Sequence, residues 1–505
     1  MSDAPNTKNR LESGTDCDVL DVVIVGGGIS GINTAYRIQT EVPGTRYTLF
    51  EARDAIGGTW DFFKYPGLRS DSDLFTFGFS WRPWLEKNSI ADGGAILKYL
   101  RASAAIEGIE RHIQLNTRVQ SANWLTKSQT WEVKIISNSR VDRVYTKFLV
   151  LGTGYYDYEE ALPAVIPSLN AFTGRIVHPQ FWPADLDYIE KKIVCIGSGA
   201  TAITLVPVLA QKAANVTMLQ RSPSYIVSIP NSTSASLLQR YMPDRLAFTV
   251  NRIYFMIFPM LFYYFSRFFP AVSRNMIRKW AAAQLPESYP LDPDFTPHYN
   301  PFDQRVCYSP DGDFYAAIRN GRAKVVTNTI ERIVDDGIIL KSGAKIDADI
   351  IVTATGLKLR LGGSINLTID GRPYLVGGKF AWQNAMLQDL PNAVLVMGYT
   401  MASWTLGADA TAFLLCRLLK GMRKHKLTSI VPRIPKDKPL LAYPLMTLNS
   451  TYVLAAANDL PKTGDRGPWR RRINYFSDMF KVNYGDVNQD LDSYRGDFLV
   501  TTVKF

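Results

Sequence analysis

Two glycine clusters carry the first chemistry legible in the chain. Gly26-Gly27-Gly28-Ile29-Ser30-Gly31 and Gly197-Ser198-Gly199-Ala200-Thr201-Ala202 each follow an apolar run and open a stretch of helical character. A turn from strand to helix with few Cβ atoms lets backbone N–H groups face a pyrophosphate, so each cluster suits a dinucleotide. In the first, Gly26 permits the bend, Gly28 lets the backbone approach the phosphates, and Gly31 lets helix and strand pack closely. The residues that follow separate the two sites. The strand Tyr47 to Phe50 ends in Glu51, whose carboxylate accepts from ribose hydroxyls and repels a 2′-phosphate. The matching strand, Val216 to Leu219, ends in Gln220-Arg221-Ser222, where Arg221 can pair with a 2′-phosphate and Ser222 can donate to it. The first site is therefore expected to hold FAD and the second NADPH. A plain surface role for Arg221 is the alternative, because the loop does not fix its direction.

The elements that must position these turns are readable in outline. Val19 to Val25 (VLDVVIV) is a nearly continuous apolar run, and Lys192 to Ile196 (KIVCI) repeats the pattern, as expected of parallel strands buried on both faces. Ile32 to Thr40 and the stretch through Leu209 read as the helices that follow. Two more apolar runs end in small residues: Phe148 to Leu151 into Gly152-Thr153-Gly154, and Ile350 to Val352 into Ala354-Thr355-Gly356. Between the first helix and Gly152, residues 113 to 136 alternate as a β-meander. The expected fold is α/β, with two Rossmann-like dinucleotide-binding domains, a β-meander and a helical insertion. Expected boundaries are a disordered lead-in over 1–18, a first FAD-domain part over 19–165 and an NADP domain over 166–335 with its insertion near 232–300. The second FAD-domain part and a C-terminal tail follow over 336–505.

Composition excludes several classes. With 505 residues, 46% hydrophobic and 20% charged, the chain has room for two or three domains and is not a disordered or repeat protein. The net charge of +11 comes from scattered residues, with Arg470 to Arg472 the one dense cluster, so no nucleic-acid partner is expected. Anionic cofactor phosphates or an anionic membrane surface suit that field better. The four cysteines lie far apart without a CxxC pair, which fits a reducing, cytoplasmic setting; no metal site is expected. Ile253 to Ser266 (IYFMIFPMLFYYFS) is uncharged and flanked by Arg252 and Arg267. Its 14 residues rise about 21 Å as a helix, short of a bilayer's ~30 Å core. A buried helix pair lining the substrate path is the leading expectation for it, and peripheral membrane contact the alternative.

Between the two sites, Phe172-Thr-Gly174-Arg-Ile-Val-His178-Pro-Gln-Phe-Trp182-Pro183 resembles the FxGxxxHxxxWP fingerprint of type I Baeyer–Villiger monooxygenases. The segments GGTWDFFKYPGLRSDSD, HPQFWPADLDY, IGSGATAITLVP, MLQRSPSYIVS, PHYNPFDQR and GYTMASWTL make it most similar to the ethionamide-activating subgroup. The resemblance runs from about Val19 to Trp469. Ala184 and Gln304 depart from it, standing where many relatives carry an acid or tryptophan and a lysine.

The resemblance implies an enzyme that inserts one oxygen atom of O2 beside a ketone carbonyl through a C4a-peroxyflavin, giving an ester or lactone. Sulfur or nitrogen oxygenation of sulfides or thioamides is the alternative, and an uncoupled NADPH oxidase a further one. It implies a catalytic role for Arg305, whose permanent charge would stabilise a developing oxyanion, and for Asp71, which would orient that arginine. Asp73 is the rival acid in the same loop. By the same resemblance Ser30, Thr59, Trp60, Asp61 and Val119 are FAD contacts and Arg69 belongs to the NADP side. His178 and Trp182 act in a hinge between cofactor domains, and Tyr399 to Leu406 form part of the wall or the core. The partners implied are O2 and an apolar ketone or sulfide; the oligomeric state is not legible.

Overall fold

In the computed structural model, which describes residues 19–231, 241–500, 503 and 505, a mixed sheet and a parallel sheet each have a central parallel strand that ends at a glycine turn. The first sheet is centred on the strand Leu20–Val25, paired in parallel with Tyr47–Phe50 on one side and with the end of the long strand Arg140–Leu151 on the other. Period-two alternation divides its core: Val22 and Ile24 face one buried cluster, Val23 and Val25 the other. All four are at most 8% exposed, which is why the run reads as continuously apolar.

The meander comprises Thr117–Leu125, Thr130–Ser137 and the first half of Arg140–Leu151, paired antiparallel. A register shift between Val119 and Ser121 interrupts the alternation there. Ile113–Gln114 belongs instead to the parallel part of the sheet, beside Tyr47–Phe50. Phe148 to Leu151 is thus the end of a 12-residue strand that meets the meander with one half and the parallel core with the other.

The second sheet runs Ala323–Thr327, Asn215–Gln220, Lys192–Ile196, Ile350–Thr353 and Arg175–Val177, all parallel. Ile350–Thr353 therefore belongs to the second sheet. The boundary expected near 336 moves beyond Thr353, because this strand satisfies its backbone between Lys192–Ile196 and Arg175–Val177. The chain then returns to the first sheet through Ala393–Leu395, which pairs with Arg140–Leu151.

Helix Trp404–His425 covers the first sheet and packs on helix Ile29–Glu41. Asp409, 1% exposed, ties them together: it accepts from Arg37 Nε (2.8 Å) and Nη2 (3.0 Å), from Asn33 Nδ2 (3.2 Å) and from Ser80 Oγ (3.1 Å). The C-terminal tail folds back on the same helix, with Arg472 donating to the carbonyls of Met397 and Gly407 and Arg417 to that of Phe505.

The insertion differs from expectation. Asp244–Phe268 is one helix of 25 residues continuing through Pro259, about 37 Å long, followed by helix Pro270–Ala282. Only 22% of its most apolar 18-residue window is buried, and none of the described residues between 225 and 303 lines the cavity described below. It is not a buried pair along the substrate path: its inner stripe rests on the first domain and its outer stripe faces outward. The lead-in over 1–18 and residues 232–240 of the insertion lie outside the described residues.

Candidate functional site

Both glycine turns open into one cavity of about 1350 Å³ between the two sheets. On the first side, Gly26 has φ +104°, and a Cβ there would sit 2.7 Å from the carbonyl oxygen of Gly152. Gly31 lies in the first turn of the helix, where a Cβ would come within 1.9 Å of the Gly26 carbonyl oxygen. Gly28 faces the cavity and Gly58 at 3.5 Å, leaving a groove walled by backbone. On the second side, Gly197 has φ +136° and presses against Ala354, while nothing stands within 4 Å of a Cβ built on Gly199.

Each turn caps a helix, Ile29–Glu41 or Ala200–Leu209, with no side-chain cap and no acid in the first turn. The exposed N–H groups and the positive helix end are thus left for an anion, and the two cradles fit the pyrophosphates of two dinucleotides. Ala200 and Thr201 line the cavity, whereas Ala202 is buried in the core of the second domain.

Glu51 is 7% exposed and lines the cavity. Its Oε2 accepts from the Gly27 amide (2.6 Å) and its Oε1 from the Arg53 amide (3.0 Å), which fixes the carboxylate beneath the turn. Burial pushes its pKa up against those two hydrogen bonds. Arg221 stands exposed at the cavity rim, donates to the Thr451 hydroxyl (3.3 Å) and pairs with no carboxylate among the described residues. Ser198 Oγ donates to the Ser222 carbonyl (3.1 Å), which fixes that loop. Gln220, by contrast, is 2% exposed and spends its amide on Asp294 and Thr327.

Ser30, Thr59, Trp60 and Val119 line the first half of the cavity, as do Arg69 and Asp71. Asp61 does not: its carboxylate points away, pairing with Arg53 and with Arg101 (3.2 Å). Arg69 is paired with Asp313 of the second domain, so it joins the domains across the cavity wall. Asp73 is committed as a helix cap, accepting from Thr76 N (2.8 Å) and Thr76 Oγ1 (2.7 Å), and burial pushes its pKa up to about 6.

Arg305 and Asp71 meet inside the cavity, with Nη1 3.8 Å from Oδ2. Half of the Asp71 side chain is exposed, and that exposure is toward the cavity. Desolvation there raises its pKa, with Arg305 and Arg69 opposing. Arg305 Nη2 also donates to the Tyr155 hydroxyl (3.3 Å), which shares a hydrogen bond of 2.6 Å with Tyr156. The Tyr155 ring stacks on Trp404 at 4.8 Å, and the Trp404 indole donates to Ser30 Oγ (2.8 Å). A chain of contacts therefore runs from the guanidinium to the first glycine turn. Tyr399 and Trp404 line the cavity while Thr405 and Leu406 are core, so that segment serves as both wall and packing.

Sequence reasoning missed Tyr155, Gln180 and Asp303. Asp303 holds the loop that carries Arg305, accepting from the Asn300 amide (3.1 Å) and pairing with Arg267 (2.6 Å). Its place inside the segment PHYNPFDQR was the available signal.

The fingerprint lies beside the cavity, at the junction of the two sheets. Its centre is the edge strand Arg175–Val177 of the second sheet. Phe172 is buried against Val194, Ile196 and Ile351, and a Cβ on Gly174 would lie 2.4 Å from the Asp349 carbonyl oxygen. Trp182 packs at the rim of the second core, and the Pro183 carbonyl caps the turn to Leu186. His178 Nδ1 accepts from the Gln180 amide (3.1 Å), and burial lowers the imidazole pKa, which keeps it neutral. Gln180 donates to the Asp157 carbonyl (2.6 Å), on the segment leaving the first sheet. None of these residues reaches the cavity except through their neighbours Pro179 and Gly356.

Comparison with known proteins gives a consistent placement. A family model described as flavin-binding monooxygenase-like matches residues 86–361, and one for an NAD(P)-binding Rossmann-like domain matches 24–86. The chain is 44% identical over 473 residues to the FAD-containing monooxygenase EthA of Mycobacterium tuberculosis (strain ATCC 25618 / H37Rv), covering 93% of this chain and 96% of that protein. It is 40% identical over 462 residues to the probable FAD-binding monooxygenase AlmA of Acinetobacter baylyi, covering 91% and 93%. Among solved structures, OTEMO in complex with FAD and NADP shares the fold at TM-score 0.73 and 19% identity, over 94% of this chain and 99% of that one. An oxidized steroid monooxygenase bound to NADP does so at TM-score 0.70 and 20% identity, with the same coverage. The protein belongs to the flavin-binding monooxygenase-like family.

Proposed function

We propose that the protein uses FAD and NADPH to insert one atom of O2 beside the carbonyl of an apolar ketone, yielding an ester or lactone. The observation that carries this reading is the single cavity in which both phosphate cradles and the Arg305–Asp71 pair meet. Glycine turns over Gly26–Gly31 and Gly197–Thr201 would hold the two pyrophosphates, Glu51 the ribose of FAD, and Arg221 with Ser222 the 2′-phosphate of NADPH.

Flavin reduced by NADPH supplies the activation of O2 and its transfer, chemistry that no side chain can perform. The chain's own residues do the rest. Arg305 places a permanent cation where negative charge develops on the oxygen of an attacked carbonyl, a contribution of several kcal/mol when water is excluded. Asp71 and the Tyr155 hydroxyl hold the guanidinium from two sides, and the stack of Tyr155 on Trp404 fixes that hydroxyl relative to Ser30. The fingerprint, whose strand Arg175–Val177 is an edge of the second sheet and whose Gln180 donates to the Asp157 carbonyl of the first domain, couples the second cradle to the first.

The Tyr155 hydroxyl beside Arg305 also offers a proton at the reacting locus, and this favours oxygenation of a nucleophilic sulfur as a second reading. Holoenzyme incubated with NADPH, air, a ketone panel and a sulfide separates the two. Esters are the expected products; efficient sulfide oxidation with every ketone untouched would sink the first reading.

A further inference from the structure

The helix Asp244–Phe268 presents an outward stripe that the rest of the fold leaves uncovered. Leu246, Val250, Ile253, Ile257, Leu261 and Phe268 recur every three to four residues, with one larger step before Phe268, and lie along one side over about 33 Å. Phe258 and Leu261 are 56% and 57% exposed, and Tyr254 stacks on Phe258 at 5.5 Å within the same surface. Phe269 and Val272 extend it into the next helix. A contiguous apolar surface of this length is uncommon on a monomeric soluble protein and marks an interaction face.

The opposite stripe is fully committed to the protein. Ala247, Phe248, Asn251 and Arg252 are buried, Phe255 stacks on Phe75 at 5.2 Å, and Arg252 Nη1 donates to the carbonyls of Phe75 (2.6 Å) and Gly78 (3.1 Å). Near the far end Ser266 Oγ meets Ser273 Oγ at 2.8 Å, which folds the following helix back along the first. The helix is long enough to cross a bilayer, but with one flank pinned to a folded domain it can meet lipid only along the other.

Charge identifies the lipid. From 245 to 286 the chain has six basic residues and no Asp or Glu. Arg267 and Arg278 are paired with Asp303 and Asp292, while Arg245, Arg274 and Lys279 are exposed with no carboxylate partner among the described residues. An apolar stripe rich in aromatic residues, with unpaired exposed cations on the same two helices, matches the interface of a bilayer containing anionic lipid.

We propose that the protein docks peripherally on an anionic lipid bilayer through the outer face of helix Asp244–Phe268, lying in the plane of the interface. The docking helix is tied at Arg252 to the segment that follows Asp71 and at Arg267 to the loop that carries Arg305.

Sedimentation of the holoenzyme with vesicles tests this. Vesicles of phosphatidylglycerol and phosphatidylcholine should carry the protein down, pure phosphatidylcholine much less, and added salt should weaken the anionic binding. The double variant Ile257→Asp, Leu261→Asp should bind at least tenfold more weakly, with bound flavin and melting temperature unchanged. Arg274→Glu with Lys279→Glu should reduce anionic binding by about fivefold per charge, with the small phosphatidylcholine background unaltered. Alkaline carbonate should release the bound protein. The proposal is overturned if wild type stays in the supernatant with anionic vesicles, or if the folded aspartate variant binds as well as wild type. Retention through the carbonate wash would show a span, and dispersal of a stable dimer by the aspartates without loss of vesicle binding would show that the face joins two copies.

Discussion

Replacing Arg221 with alanine should separate the two nicotinamide cofactors. The guanidinium lies at the end of strand Asn215–Gln220, on the cavity rim, with the Thr451 hydroxyl its one competing partner among the described residues. A charge-assisted hydrogen bond contributes about 1.5–3 kcal/mol, but Arg221 is exposed, and solvent screening reduces this to about 1–2 kcal/mol. That corresponds to a loss of about 5- to 30-fold in NADPH affinity. NADH has no 2′-phosphate, so its binding should change by less than about twofold. The assay is flavin reduction under anaerobic conditions, followed at the flavin absorbance over a range of NADPH or NADH concentrations, which yields an apparent Kd for each. Salt should weaken NADPH binding to wild type and affect the variant less. Equal losses for both cofactors would refute the phosphate assignment and return Arg221 to a general surface role.

Other expectations follow from the packing. Gly31→Ala places a methyl 1.9 Å from the Gly26 carbonyl oxygen, so the first turn must open; the protein should be recovered without bound flavin, whereas Gly199→Ala should remain folded and retain flavin. Asp409→Ala leaves Arg37 unpaired in a largely buried site and should cost about 3–5 kcal/mol in denaturant unfolding, with a much smaller loss contradicting the tie it makes between helices. Cys195, Cys307 and Cys416 are buried, and their thiol pKa values are pushed up to about 12. Native protein at pH 8 should leave these three unalkylated, and since unfolded thiols titrate near ~8.5, folding stability from this source falls as pH rises above that value. Peptide mapping that finds them labelled in folded protein would contradict this.

Both cofactor turns were legible because their chemistry is local: a buried apolar strand, glycines where a Cβ collides with backbone, and a residue at the next strand end. Pairing partners were not. Phe148 to Leu151 and Ile350 to Val352 have the same apolar-then-small pattern, yet they join different sheets, and only contacts with Leu20–Val25 or Lys192–Ile196 decide which. The long helix was read short because Asn251 and Arg252 look like a polar boundary; buried, with Arg252 bonded to two carbonyls, they continue the helix instead. Asp61 shows the limit at the site itself. Its loop suggested a flavin contact, but Arg53 and Arg101 draw the carboxylate away. Tyr155 and Asp303 act through residues about 150 positions away or through a loop's own turn, and neither relation leaves a spacing that can be read along the chain.

If Arg305, in the cavity into which both glycine turns open, directs oxygen into a ketone, the product formed by holoenzyme from a ketone under 18O2 with NADPH must depend on it, and wild type and Arg305→Ala are compared directly. Wild type is predicted to give an ester carrying one 18O atom for each NADPH consumed, and the variant to reduce its flavin yet release no ester. Wild-type NADPH oxidation that yields only hydrogen peroxide with every substrate, or full ester formation by Arg305→Ala, would contradict this role of Arg305.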